Sequence, residues 1–97
     1  MPGYVVLQFS IIDRERFFRE YVPPAVATLA QHGGRFLAST EDVTTLEGTA
    51  PHERMTIIEF PSREAARAWY DSAEYQRVIA LRTGTTNGSV YLLDGPP

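Results

Sequence analysis

The sequence has no cysteine, which excludes a disulfide framework, a thiol nucleophile and a thiolate metal site. Long apolar runs are missing as well. No stretch approaches the roughly 18 apolar residues that a membrane-crossing helix needs. The opening MPGYVVLQFSIID lacks a basic region followed by a long apolar run, so the chain is expected to be soluble and cytoplasmic, with no membrane partner. Positive charge is not in excess. Nine basic residues stand against twelve acidic ones, for a net charge of −3, and such a balance supplies no global field for nucleic acid. Neither a phosphate-binding glycine loop nor a nucleophile elbow occurs. Asn87-Gly88 is a turn signal. The two histidines, His32 and His52, are far apart and have no third ligand at metal spacing, so neither metal nor cofactor is expected.

What is present is an ordinary globular composition, 43% hydrophobic and 22% charged, in 97 residues. A chain of that length makes one domain, read here as residues 1–97, and buries about 60 to 70% of its unfolded surface. Its organising stretch is residues 62–82, SREAARAWYDSAEYQRVIALR, with the only tryptophan and two helix starts. Ser62 caps the first, with Glu64 at the positive helix end. Asp71 is expected to cap the second, with Glu74 three residues on. Tyr75, Val78, Ile79 and Arg82 then follow one helical face, so a cation closes an apolar stripe.

Upstream, residues 4–11 alternate, with Val5, Leu7, Phe9 and Ile11 on one face and Tyr4, Val6, Gln8 and Ser10 on the other. Asp13 is placed to cap a helix carrying Phe17, Phe18, Tyr21 and Val22. Pro23-Pro24 interrupts it, and a second segment runs to His32, where Gly33-Gly34 ends it. Residues 35–40 read as a strand, with Val43 to Leu46 as its candidate continuation beyond an irregularity at Glu41-Asp42. The clearest later strand is RMTIIEF, residues 54–60. Residues 83–88 are expected to form a flexible turn, and the last strand to run over 89–94.

The order strand, helix, strand, strand, helix, strand predicts an α+β ferredoxin-like βαββαβ fold, a four-stranded antiparallel sheet with two broken helices on one face. Two helices cover one sheet face only. The other would carry apolar residues from a set such as Val6, Ile58, Phe60, Val90 and Leu92, and an apolar patch of that kind marks an interface. The expected partner is therefore a second copy, sheet face to sheet face.

GGRFLA at 33–38, LEG at 46–48, IIEFPS at 57–62, AARAWYDSAEYQ at 65–76 and Leu81-Arg82 resemble the domain-of-unknown-function family thirteen-thirty over almost the whole chain. That family is similar to the dimeric α/β-barrel superfamily, whose relatives include cofactor-free monooxygenases, muconolactone isomerases and haem-handling proteins. The resemblance implies the fold and the homodimer, and it carries no particular reaction.

Polar groups among apolar ones are the candidate site, and each has a structural counterpart reading. Arg82 is suited to a carboxylate or enolate ligand, or else to a structural ion pair with Glu59 or Asp94. Glu59, inside MTIIEF, is either paired or raised in pKa and able to take a proton. His32 is a general base or a helix cap. Arg35, at a strand end, is a ligand-binding candidate. Tyr70 and Tyr75 are either pocket donors or core, while Trp69 reads as core. Glu47 has no role assigned by physics. Three functions follow. The first is a small organic ligand bound in the helix/sheet cleft by Arg35, Tyr70, Tyr75 and Arg82, with Glu59, Arg82 and His32 as the catalytic candidates of a cofactor-independent enzyme. The second is a non-catalytic structural or stress-associated interaction protein. The third, a ferredoxin-like RNA binder, lacks the ring pattern in RMTIIEF and the charge.

Overall fold

The computed structural model describes residues 1–96. Strand β1 (Gly3–Ile11) is followed by a helical layer, α1 (Arg14–Arg16), a π-helical turn (Phe17–Tyr21), α2 (Val22–Leu29) and a 3-10 turn (Ala30–His32). Strands β2 (Arg35–Thr40) and β3 (Arg54–Phe60) come next, then α3 (Arg63–Asp71), α4 (Ala73–Gln76), α5 (Ile79–Thr83) and β4 (Thr86–Asp94). The sheet order is β2-β3-β1-β4 and every pairing is antiparallel. This is the ferredoxin-like arrangement.

Local chemistry explains the elements. Asp13 accepts a hydrogen bond from the Arg16 amide and so starts α1. The expected interruption at Pro23-Pro24 is a change of winding. In an α-helix the two prolines would leave the carbonyls of Arg19 and Glu20 without donors and press their rings against them. The preceding turn widens instead, and the Val22 amide reaches back five residues to the Phe17 carbonyl. At the far end Gly33 takes φ 72°, and the Gly34 amide donates to the Leu29 carbonyl at 3.0 Å. Ser62 caps α3 through the Ala65 amide (3.0 Å). The second cap is Ser72, not Asp71: its hydroxyl oxygen accepts from the Tyr75 amide at 3.2 Å, while Asp71 pairs with Arg67 one helical turn back. Serine at 72 keeps the Glu74 spacing too short for a capping box, and Asp71 is still helical.

Two further expectations change. Residues 41–53 contain no strand, because Val43 to Leu46 find no partner and lie exposed. The segment expected as a flexible turn is instead fixed: Thr85 and Thr86 are buried and their hydroxyls donate to the Arg82 carbonyl, which lets β4 begin at Thr86. Gly88 is required there, since a Cβ would meet the Gln8 carbonyl oxygen at 1.9 Å.

Register decides the two faces. Val5 pairs with Ile58 and Leu92, and Leu7 with Thr56 and Val90, so the helix-facing side holds Ile58, Phe60, Val90 and Leu92 as well as Val5, Leu7 and Phe9. Of the set expected on the bare face, only Val6 lies there. It pairs with Ile57 and Tyr91, and Tyr4, Met55 and Leu93 share the same parity. A one-residue difference in strand parity exchanges the sets, and the bare face as found mixes apolar Val6, Met55, Ile57, Tyr91 and Leu93 with polar Gln8, Glu59 and Ser89.

The core is a row of rings between the layers. Phe60 lies 5.5 Å from Trp69, Trp69 4.1 Å from Tyr75, Tyr75 6.4 Å from Tyr21, and Tyr21 5.3 Å from Phe17, which meets Phe9 edge-on at 6.3 Å. Trp69 is 1% exposed, and its indole N–H donates to Thr28 Oγ1 at 2.8 Å. Trp69→Ala is therefore expected to cost about 3–5 kcal/mol in urea unfolding; a variant as stable as the parent would show that the ring contributes no packing.

Candidate functional site

The row of rings does not fill the space between the layers completely. Where α2 leaves the sheet toward β2, a cavity of about 70 Å³ remains, walled by Phe9, Phe17, Tyr21, Leu29 and Trp69. Its polar rim is Arg54, Ser39 and Thr56. The π-helical turn supplies Phe17 and Tyr21, β3 supplies Arg54 and Thr56, and β2 supplies Ser39. Arg54 heads β3 on the parity of Thr56, Ile58 and Phe60, so its stem runs over the core side of the sheet and only 16% of its side chain is exposed. Its guanidinium stands 5.9 Å from the Phe17 ring centre and 5.3 Å from that of Phe18, within cation–π range. One N–H donates to Ser39 Oγ at 2.9 Å, and Ser39 in turn meets Thr56 Oγ1 at 3.0 Å.

Behind the wall, the Tyr21 and Tyr75 hydroxyls share a 2.7 Å hydrogen bond. Burial raises the Tyr21 phenol well above its usual value, with the neighbouring Tyr75 acting in the same direction and the Arg82 cation opposing both. Arg82 is 6% exposed and its guanidinium lies 5.3 Å from the Phe9 ring centre. Its Nε is buried without a hydrogen-bond partner. No carboxylate among the described residues forms an ion pair with it, because the two expected partners are taken elsewhere: Glu59 pairs with Arg35 at 2.6 Å and Asp94 with Arg63 at 3.5 Å.

The residues singled out from the sequence thus fall in several places. Arg35 and Glu59 sit opposite each other on the bare sheet face, where the Tyr4 hydroxyl also donates to Glu59 (3.3 Å). Tyr75 is fully buried and, with Arg82, forms the layer behind the cavity wall. Tyr70 lines a second, larger hollow of about 210 Å³ between α3 and the β1/β4 pair. There the one cation, Arg67, is committed to Asp71 at 2.8 Å. His32 ends the 3-10 turn, half-buried, and the glycine amides rather than its ring meet the last carbonyls. His52 is half-buried with its Nδ1 3.0 Å from Ser10 Oγ on the bare face. Sequence reading missed Arg54, Ser39 and Tyr21 at the cavity. The signal for Arg54 was present, since it shares the core-facing parity of Thr56, Ile58 and Phe60.

Among the described residues no group of three or more His, Asp or Glu side chains is placed to hold a metal ion, and no helix is long and apolar enough to cross a membrane. The topology and the helix-side cavity define a ferredoxin-like α+β domain. The chain belongs to the family described as a domain of unknown function (DUF1330), whose model matches residues 2–96. No curated protein matches it significantly in sequence. Among solved structures it is similar to a protein of unknown function from Rhodopseudomonas palustris, with a TM-score of 0.79 at 14% identity over 99% of this chain and 83% of that one. HapK from Hahella chejuensis gives 0.68 at 13% identity, covering 97% and 92% of the two chains. SnoaB, a cofactor-independent oxygenase from Streptomyces nogalater, gives 0.64 at 13% identity, covering 99% and 94%. At these identities the likeness is one of fold.

With no lysine or cysteine in the sequence, tyrosines are the only side chains whose usual pKa lies near 10. A phenol raised in the folded state stabilises fully below the unfolded pKa, and that contribution is lost as pH climbs from about 10 toward the folded value. The unfolding free energy is expected to fall between pH 10 and 11.5, with Tyr21 contributing a slope of up to about 1.4 kcal/mol per pH unit. Tyr21→Phe should flatten the profile; an unchanged slope would show that Tyr21 does not carry it.

Proposed function

We propose that the protein is a homodimer that binds a small organic molecule in the cavity between its helical layer and its sheet. The observation that carries the reading is the cavity itself: aromatic walls, with Arg54, Ser39 and Thr56 as its polar lining. Binding sites of small ligands combine apolar walls with a few placed polar groups in this way. At about 70 Å³ the space takes little more than part of one ring, and exposed Val26 and Phe36 among its lining residues leave it open to solvent, so the rest of a larger ligand would lie along that opening. The wide turn and the two prolines, which lack amide donors, make the π-helical turn and α2 the less tightly bonded part of the helical layer. SnoaB, similar in fold, is a cofactor-independent oxygenase, which supports the small-ligand reading and extends it to catalysis without a bound cofactor. Tyr75 and Arg82 then act from behind the wall, Tyr75 by holding the Tyr21 hydroxyl and Arg82 through its charge. Tyr70 faces its own hollow, and Arg35, Glu59 and His32 stand outside the cavity, Arg35 and Glu59 on the face assigned to the second copy.

The bare sheet face supports the dimer. The protomer is a slab, 33 × 30 × 16 Å, and one of its broad sides presents Val6, Ile57, Tyr91 and Leu93, with Tyr91 49% and Leu93 47% exposed. A side of those dimensions is on the order of 800–1,000 Å², comparable to one partner's share of a standard interface. Ile57→Asp is expected to yield a monomer in analytical ultracentrifugation with its fold intact, and a wild-type monomer at micromolar concentration would remove the dimer.

A thermal-shift panel of aromatic acids, quinones, fatty acids and haem tests the cavity. A ligand present at 100 times its Kd stabilises by about 2.7 kcal/mol, a rise in Tm on the order of 10 °C for a domain of this size. A panel without a single shift would favour a non-catalytic interaction protein.

A further inference from the structure

We infer that the ligand of this cavity is a ring-bearing carboxylate, with Arg54 the group that receives its charge and Glu41, held by Arg14, the neighbouring carboxylate whose charge opposes it. The inference rests on the small-ligand reading above and specifies the chemistry of the ligand.

Arg54 lines the cavity, and two further guanidinium groups, those of Arg14 and Arg82, lie against neighbouring rings, while the chain as a whole carries a net charge of −3. Arg14 lies over the Phe18 ring at 5.3 Å, on which Arg54 also stands at 5.3 Å. Arg82 lies over Phe9, and Phe9 is the residue directly across the β1/β3 ladder from Arg54. Glu41 is the carboxylate in contact with this group, and its two oxygens are already held by Arg14 in a fork at 2.6 and 2.9 Å. That pairing draws the Glu41 carboxyl below the usual carboxylate range, so it stays ionised and stays with Arg14. Glu53 acts on Arg14 from further away.

Arg54 is left with an incomplete set of partners. Its Nη1 is 3.8 Å from Glu41 Oε2, too long for a hydrogen bond, and its one side-chain acceptor is neutral Ser39. A guanidinium has five N–H donors in a plane shaped for a carboxylate. A half-buried arginine stacked on two rings and facing an apolar cavity is therefore set to complete a planar fork with an entering carboxylate, whose ring would continue among Phe9, Phe17 and Tyr21. Buried Arg82, with no carboxylate paired to it among the described residues, adds positive potential from behind the Phe9 wall. The apolar walls give a phosphate nothing in return for its stronger hydration. They favour a single, delocalised negative charge on an otherwise apolar body.

Isothermal titration with benzoate, benzamide and inorganic phosphate, on the wild-type protein and on Arg54→Gln and Glu41→Gln, tests this. Benzoate is expected to bind at least tenfold more tightly than benzamide or phosphate. Arg54→Gln should erase the preference for benzoate over benzamide. Glu41→Gln, which removes the competing carboxylate at an exposed pair, should tighten benzoate severalfold and not affect benzamide. Equal affinity for benzoate and benzamide, or a preference that survives Arg54→Gln, overturns the charge assignment while the cavity still binds rings. Binding of neither ring compound overturns it too, and the broader ligand panel then decides separately whether the cavity binds anything. Should Arg54→Gln fail to fold by circular dichroism, Glu41→Gln alone decides, and an unchanged benzoate affinity there rejects the proposal.

Discussion

The hydrogen bond from the Trp69 indole to Thr28 joins the two halves of the helical layer across the middle of the sheet. Trp69 comes from α3 and Thr28 from α2, and the Thr28 hydroxyl is oriented because it donates in turn to the Ala25 carbonyl at 2.6 Å. A buried indole N–H left without an acceptor would cost about 1–3 kcal/mol, so the position of α2 over β3 is coupled to that of α3. With the indole held, Tyr75 stacks against it, Tyr21 is hydrogen-bonded to Tyr75, and Phe17 stacks on Tyr21. The cavity is the space left at the end of that row. Its walls are therefore the core itself, and any change that enlarges it also removes packing that a domain of this size depends on.

Much of the fold was legible in the sequence because the signals were local. Alternation in β1, the proline pair, the double glycine and the serine at 62 each act over a few residues, and the structure follows them. The misreadings arose where two local signals competed or where the answer lay across the sheet. At the second cap, Asp71 and Ser72 both suit the role; α3 continues through 71, which leaves 72 as the first residue with extended dihedrals. The faces of β3 and β4 depended on pairing register, which a strand with hydrophobic residues at both parities does not reveal. Ile57 and Ile58 are neighbours in sequence, yet one lies at 3% exposure in the core and the other on the bare face.

The candidate site was less legible, for a related reason. Arg82 was correctly read as a cation on an apolar stripe, but its expected carboxylates belong to other arginines, and only the three-dimensional arrangement shows that. Glu59 looked anomalous inside MTIIEF because its partner Arg35 is 24 residues away and comes to it through the β2/β3 ladder. Arg54 opens β3, a position where charge is ordinary. Its parity was informative only once the helix-facing side of β3 was known. Charged residues in this chain are thus read better from the face they occupy than from their neighbours in sequence.

The edge strand β2 holds one residue more than its partner β3, the register shifting between Phe36 and Ala38. An extra residue bends a strand and spoils the even spacing of the amides and carbonyls along its open side. A flat edge of six exposed residues containing Phe36 and Leu37 would otherwise be a template for further strands, the first step toward fibril growth. The bulge at Leu37 makes that edge a poorer template for a further strand while leaving the broad sheet surface unhindered.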